Sequence, residues 1–280
     1  MATITRFAPS PTGNLHLGHA FAALTAAMAG DRFLVRLEDI DASRCRAEYE
    51  AAIFEDLAWL GLRWEELVLR QSGRMAAYAA ALARLKAQGL VYPCFCTRTA
   101  IAAEIARAGD APSGPDGALY PGTCRGLSAD QRAAKIAAGV PYALRLDTAK
   151  AAGVVGPLTF EEYGAGPNGE TGPIAVDPTL FGDVVLARKE TPAAYHLAVV
   201  VDDAYQGVTL VTRGNDLFAA SHIQRVLQTL LGLPEPAYAH HRLILDAAGK
   251  KFSKRDQAVT LQALRASGIT PDAIRRRVAF

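Results

Sequence analysis

Two histidines, His16 and His19, stand three positions apart with Gly18 between them, directly after the turn cluster Pro9-Ser10-Pro11-Thr12-Gly13-Asn14. Imidazoles at that spacing share one face of a helix. A helix that starts here would offer its first backbone N–H groups and the positive end of its dipole to an anion. Gly18 would let a nucleotide lie close to the backbone. Much later, Lys250-Lys251-Phe252-Ser253-Lys254-Arg255 follows Gly249. Cations on a glycine-flanked loop suit a pyrophosphate leaving group, whose charge grows in the transition state. Alone, each segment has a plainer meaning: two surface histidines at a helix start, and an exposed basic loop. A third constellation is Cys94, Cys96 and Cys124 with Tyr120 nearby. Structural zinc takes four N or S ligands in a tetrahedron. Three thiols with water or Tyr120 would meet that need, and three buried structural thiols are the alternative. Clustered cysteines in a reducing compartment point to metal before disulfide. Cys45 lies apart from the cluster.

The elements that must position these residues are legible in outline. Thr3 to Phe7 is β-compatible and runs into the turn cluster. Leu17 to Ala29 is alanine-rich and stops at Gly30, which predicts a helix. Asp31 to Glu38 predicts a second strand, and strand–turn–helix–strand is the βαβ unit of a parallel sheet. Amphipathic helices are expected near Ala47 to Leu60 and Arg74 to Gln88. Leu197 to Asp202 and Gly207 to Arg213 are strand-like, and Ala219 to Leu231 predicts a helix. Between the two α/β stretches, the cysteines and two Gly/Pro-rich segments predict an insertion of irregular and β structure. The expected division is 1–92 with 183–280 as a Rossmann-type α/β domain, and 93–182 as an inserted subdomain holding the candidate metal site.

Composition sets outer limits. At 280 residues the chain can build one large domain or two modest ones around a substantial core. Half of it is hydrophobic and 21% is charged, as in ordinary globular proteins. A net charge of +2 does not by itself announce nucleic acid, although a local patch could bind phosphate. No apolar run approaches the roughly 20 residues that span a bilayer. Met1 to Phe7 is not a secretory signal, so a cytoplasmic protein with no membrane partner is expected.

Taken together, the motifs resemble a family. His16-Leu17-Gly18-His19 after Pro9-Ser10-Pro11-Thr12-Gly13, with the late Lys251-Phe252-Ser253-Lys254-Arg255, resembles the HIGH and KMSKS signatures of class I aminoacyl-tRNA synthetases. Arg6-Phe7-Ala8-Pro9-Ser10-Pro11-Thr12-Gly13 is similar to the glutamyl version. So are Arg36-Leu37-Glu38-Asp39-Ile40-Asp41, the stretch from Tyr195 to Asp203, and Arg213-Gly214-Asn215-Asp216. The resemblance implies that Arg6 and Arg213 bind carboxylates of L-glutamate, for which a guanidinium is suited. It implies that Glu38 accepts from the α-ammonium group and that Ser10 and Tyr195 supply orienting hydrogen bonds. Phe7, Ala8 and Pro9 complete the glutamate site. His16, Gly18, His19, Lys251, Ser253 and Lys254 form the ATP site, with His16, His19 and Lys254 as the catalytic group and Mg²⁺ accompanying ATP.

Within that family the chain resembles the shorter paralogues, the glutamyl-queuosine tRNA(Asp) synthetases, which lack an anticodon-binding domain. It shares with them a YxxxC arrangement, here Tyr120 and Cys124, where a CxH pattern would need histidine in place of Gly126. This implies one structural zinc held by Cys94, Cys96, Tyr120 and Cys124, in an insertion like the acceptor-binding one. It also implies glutamate activation without tRNA, transfer to queuosine in the anticodon loop of tRNA(Asp), and a monomer. Two other readings stay open: a catalytic fragment that charges tRNA(Glu), and a non-enzymatic zinc-stabilised RNA-binding module.

Overall fold

A computed structural model describes residues 2–108, 112–188, 192–245 and 259–280. The chain opens with β1 (Ile4–Phe7), α1 (Leu17–Ala29), β2 (Arg32–Leu37), α2 (Ala47–Trp59), β3 (Leu69–Arg70) and α3 (Met75–Ala87). Then come β4 (Val91–Cys94), α4 (Arg98–Ala108), β5 (Ser113–Gly114), β6 (Gly117–Ala118), α5 (Ala129–Ala137), β7 (Ala143–Leu146) and α6 (Thr148–Val155). Strands β8 (Thr159–Glu162), β9 (Gly172–Ala175) and β10 (Val185–Ala187) lead to α7 (Tyr195–Tyr205). The last elements are β11 (Leu210–Gly214), α8 (Ala220–Leu231), β12 (Ala237–His241), α9 (Leu261–Ala266) and α10 (Pro271–Arg277).

The expected βαβ unit is present, with β1 parallel to β2 and β2 parallel to β3. On the other side β11 runs parallel to β12 and β12 to β8. Thr209 N–H donates to Ile4 O at 3.0 Å and joins the two groups of strands beside β1. Alternation along each strand sends side chains to opposite faces. Phe7, Phe33, Val35 and Leu37 pack with α1 and α2 in one core. Ile4 and Leu34, one residue out of phase, pack with Val211, Phe218 and Tyr238 in another. By the same alternation Arg6 and Arg36 point to the second face, toward α7. Asp203 on α7 receives both guanidiniums there, so Arg36 can be buried in β2 among Phe33, Leu34, Val35 and Leu37.

Three expectations change. Leu197 to Asp202 is part of helix α7 and not a strand. The run Leu197-Ala198-Val199-Val200 is buried almost completely between neighbouring helices, in a core that includes α3 and α8 residues. An apolar run of that length does not separate a strand from a buried helix, and the β-branched valines tilt it the wrong way. The stretch expected to be irregular and β also holds α4, α5 and α6. Ser128 and Asp147 cap the last two by accepting from Gln131 N–H and Lys150 N–H. Finally, β8 pairs parallel with β12 and β9 pairs antiparallel with β8, so both strands extend the sheet of β11 and β12. Strand β10, just past residue 183, pairs with β7 beside β4. Among the described residues no helix is long and apolar enough to cross a membrane.

Candidate active site

His16 is the N-cap of α1, and the chain turns there from extended to helical backbone. Its Nδ1 accepts from Gly18 N–H at 3.1 Å, and His19 Nδ1 accepts from His16 N–H at 3.2 Å. This is a capping box built from imidazoles in place of Ser and Glu. It sets both ring orientations, with centroids 3.8 Å apart. Thr260 pairs with His16, and Leu261 N–H donates to Leu15 O at 2.8 Å. The chain therefore returns to the His16 turn where it is next described. Lys251, Ser253 and Lys254 lie outside the described residues.

A cavity of about 600 Å³ opens at this turn. It is lined by Arg6, Phe7, Ala8, Ser10, His16, Gly18, His19, Glu38, Tyr195 and Arg213, all singled out in the sequence. Pro9 does not line it; its carbonyl accepts Glu38 N–H at 3.0 Å and so fixes the strand end that carries Glu38. The sequence reading missed other lining residues, among them Thr212, Asp216, His241 and Arg242. A second cavity of about 580 Å³ shares Ser10, Glu38 and Tyr195 and extends to Tyr120, Arg145 and His196. Burial, with Arg213 nearby, holds the His196 imidazole down to about 4, so it is neutral at pH 7.

The charges in the first cavity are braced from the α7 face. Asp203 Oδ1 accepts from Arg6 Nε at 3.0 Å and from Arg36 Nη1 at 2.6 Å. Arg6 Nη1 also donates to Thr212 O at 3.1 Å. Arg36, fully buried, reaches Glu38 Oε1 through Nη2 at 3.3 Å. Burial pushes the Asp203 carboxyl up, but Arg6 and Arg36 outweigh it and hold it below the usual range. For Glu38 burial wins over Arg36 and Arg6, and its carboxyl is raised. Arg213 is also buried, with Ser221 Oγ at 2.6 Å, Gln224 Oε1 at 2.7 Å and His240 Nε2 at 3.1 Å as acceptors. Tyr195 is partly exposed at the cavity wall, so it is not a core aromatic.

Asp203 stood in view in the sequence, but nothing there showed that it receives two arginines. A better signal existed for Ser221 and Gln224. With Gln228 they follow helical spacing on the face of α8 that also carries apolar residues, and all three are buried. Polar groups on a buried face need partners.

The metal candidates converge. The Sγ atoms of Cys94, Cys96 and Cys124 lie within 4.8 Å of one another. Cys96 and Cys124 are 3.5 Å apart, and Tyr120 Oη is 3.3 Å from Cys94 Sγ and 3.7 Å from Cys96 Sγ. Tetrahedral zinc with bonds near 2.3 Å needs sulfurs separated by roughly 3.8 Å, so these donors fit it. Burial raises the Tyr120 phenol and Cys94 adds to the rise, so the phenol is neutral unless a cation draws off its proton. Cys45 takes no part.

A parallel α/β sheet with an imidazole-capped helix at the first strand end, opening on a cavity lined by buried arginines, is the architecture of a class I synthetase catalytic domain. The family described as tRNA synthetases class I (E and Q), catalytic domain, matches residues 2–279, and the chain belongs to it. A Glutamyl-Q tRNA(Asp) synthetase from Rhodobacter capsulatus is 51% identical, over 99% of this chain and 100% of the relative. Another so named, from Nocardia farcinica, is 45% identical over 96% of this chain and 81% of its own length. The fold is similar to that of a glutamate tRNA ligase from Elizabethkingia meningosepticum, crystallised in complex with its amino acid. That likeness has a TM-score of 0.72 at 27% identity and covers 91% of this chain. The chain spans about half of that structure, 52%.

Proposed function

We propose that this chain activates L-glutamate with ATP in the absence of tRNA, and then passes the glutamyl group to queuosine in the anticodon loop of a tRNA(Asp). The observation that carries the reading is the meeting of the His16–His19 turn with Arg6, Arg213 and Glu38 in one cavity. Such a set matches an amino acid with two carboxylates and one ammonium beside a nucleotide phosphate. The names of the relatives support the same substrate and acceptor.

In the first step an α-carboxylate oxygen of glutamate attacks the α-phosphorus of ATP. The bond from that phosphorus to the bridging oxygen breaks and pyrophosphate leaves. Arg6 and Arg213 bind the carboxylates, Glu38 accepts from the ammonium, and Ser10 and Tyr195 orient the substrate against Phe7 and Ala8, while Pro9 fixes the strand end that carries Glu38. His16, Gly18 and His19 steady the phosphates, while the resemblance assigns Lys251, Ser253 and Lys254 the role of stabilising the departing pyrophosphate. Mg²⁺ bound with ATP would offset phosphate charge. No general base is needed, because positioning and electrostatics carry this step. In the second step a hydroxyl oxygen of queuosine attacks the glutamyl carbonyl, loses its proton, and displaces AMP. Cys94, Cys96, Cys124 and Tyr120 would hold a structural zinc in a unit around β4 and β7.

The test is transfer of labelled glutamate from preformed adenylate. Label is expected on tRNA(Asp) that carries queuosine and not on tRNA(Asp) without it. Label on tRNA(Glu) alone would overturn the proposed acceptor.

A further inference from the structure

Among the described residues Arg213 is braced by neutral groups. Its three close acceptors are His240 Nε2, Gln224 Oε1 and Ser221 Oγ. Among the described residues no salt bridge joins it to a carboxylate, whereas Arg6 and Arg36 both meet Asp203. The anion stands one residue further out. His240 Nδ1 is 2.6 Å from Glu162 Oε2, and both side chains are completely buried. Glu162 Oε1 accepts His240 N–H and Gly164 N–H, each at 2.8 Å. The close turn depends on glycine, since a Cβ at Gly164 would lie 2.2 Å from His240 O.

These contacts leave the imidazole one arrangement. A carboxylate on Nδ1 requires a proton there, and a guanidinium N–H on Nε2 requires a lone pair there. A proton on Nε2 would set two donors face to face, in a site with no water-like dielectric to soften it. We propose that Glu162 and His240 are positioning residues that fix the aim of Arg213, and through it the preference of the cavity for a dicarboxylic amino acid over its monoamide. A buried guanidinium with only neutral partners gains a charge-assisted pair from a second carboxylate, and an amide cannot supply one. Gln224 and Ser221 hold the Nη atoms while the imidazole holds Nε, so the remaining N–H directions are set. Burial lowers the His240 imidazole against the pull of Glu162, in keeping with a neutral ring.

The proposal rests on glutamate as the activated substrate, and its test separates the two. The ¹⁵N resonances of the His240 ring report its tautomer without any turnover. The Nδ1–H form at neutral pH is expected; an Nε2–H or charged ring overturns the relay whatever the enzyme does. Pyrophosphate–ATP exchange then compares His240→Leu, which removes the acceptor, with His240→Gln, whose amide oxygen can replace Nε2. His240→Leu should raise KM for glutamate about tenfold or more, as for losing a hydrogen bond to a charged group. KM for ATP below the melting temperature should stay close to wild type; His240→Leu should lower the melting temperature, because it leaves Glu162 buried and unpaired, and His240→Gln should restore most of the glutamate KM. Equal damage in both variants, or a parallel rise in KM for ATP, would overturn the relay. Absence of glutamate exchange in the wild type, with the expected tautomer present, would overturn the substrate and leave the relay standing.

Discussion

Arg6 Nε meets Asp203 Oδ1 at 3.0 Å where both side chains are almost fully buried. One carboxylate oxygen on α7 thereby holds β1, and through Arg36 it also holds the strand end that carries Glu38. Removing one member of a buried charge network strands the others, at a cost of about 3–5 kcal/mol. Asp203→Ala is therefore expected to lower the urea midpoint sharply and to abolish glutamate-dependent exchange. A variant of wild-type stability would mean that Asp203 does not hold the two arginines.

Asp56, on α2, is buried with Arg265 Nη2 at 3.7 Å from Oδ1. Burial raises its carboxyl to about 6, with Arg265 opposing and Glu55 adding to the rise. In the folded protein it thus keeps its proton to higher pH than in the unfolded chain. The contribution of Asp56 to stability must fall as pH climbs from the ordinary value of 3.8 toward about 6, and its penalty is complete above that. Asp56→Asn should stabilise the protein at pH 7.5 by about 1 kcal/mol, since the partly exposed Arg265 offsets the rest of the penalty. The gain should vanish near pH 4, read from melting curves of both proteins at several pH values.

The thiol cluster should retain close to one zinc ion per chain through purification, measured by atomic emission. Chelation should lower the melting temperature by several degrees, as expected when a structural metal contributes to folding. Glutamate exchange measured below the new melting temperature should persist, because the thiols do not line the cavity at His16. Cys124→Ser should lose the ion. Zinc-free protein with unchanged melting would leave three structural thiols.

Lys254→Ala is expected to slow adenylate formation by about 10²–10³, typical for loss of one group that stabilises developing charge. Binding of glutamate should be nearly unaffected, since the effect belongs to pyrophosphate departure. Unchanged exchange kinetics would remove Lys254 from the chemistry.

The first half of the sheet was legible because Gly30, the Pro/Gly turn and the alternating strand residues mark their own boundaries. The cavity residues were legible only because motifs distant in sequence matched one family together; Arg6 or Tyr195 alone suggests nothing. What failed has a common cause. Leu197 to Asp202 belongs to a helix buried on several sides, where periodicity carries no signal. Glu162 and β8 join a sheet whose partner strand is far along the chain, a pairing that local pattern does not encode. The braces Asp203, His240 and Ser221 act on other side chains and not on substrate, so motif chemistry does not point to them.

Pyrophosphate–ATP exchange in the rigorous absence of tRNA tests the central claim most directly, with L-glutamate set against L-glutamine and L-aspartate. Rapid exchange with L-glutamate, much slower with the other two, is the expected result. Exchange that appears only after tRNA(Glu) is added would contradict tRNA-independent activation. No exchange under either condition would contradict the assignment of this cavity as a glutamate-activating site.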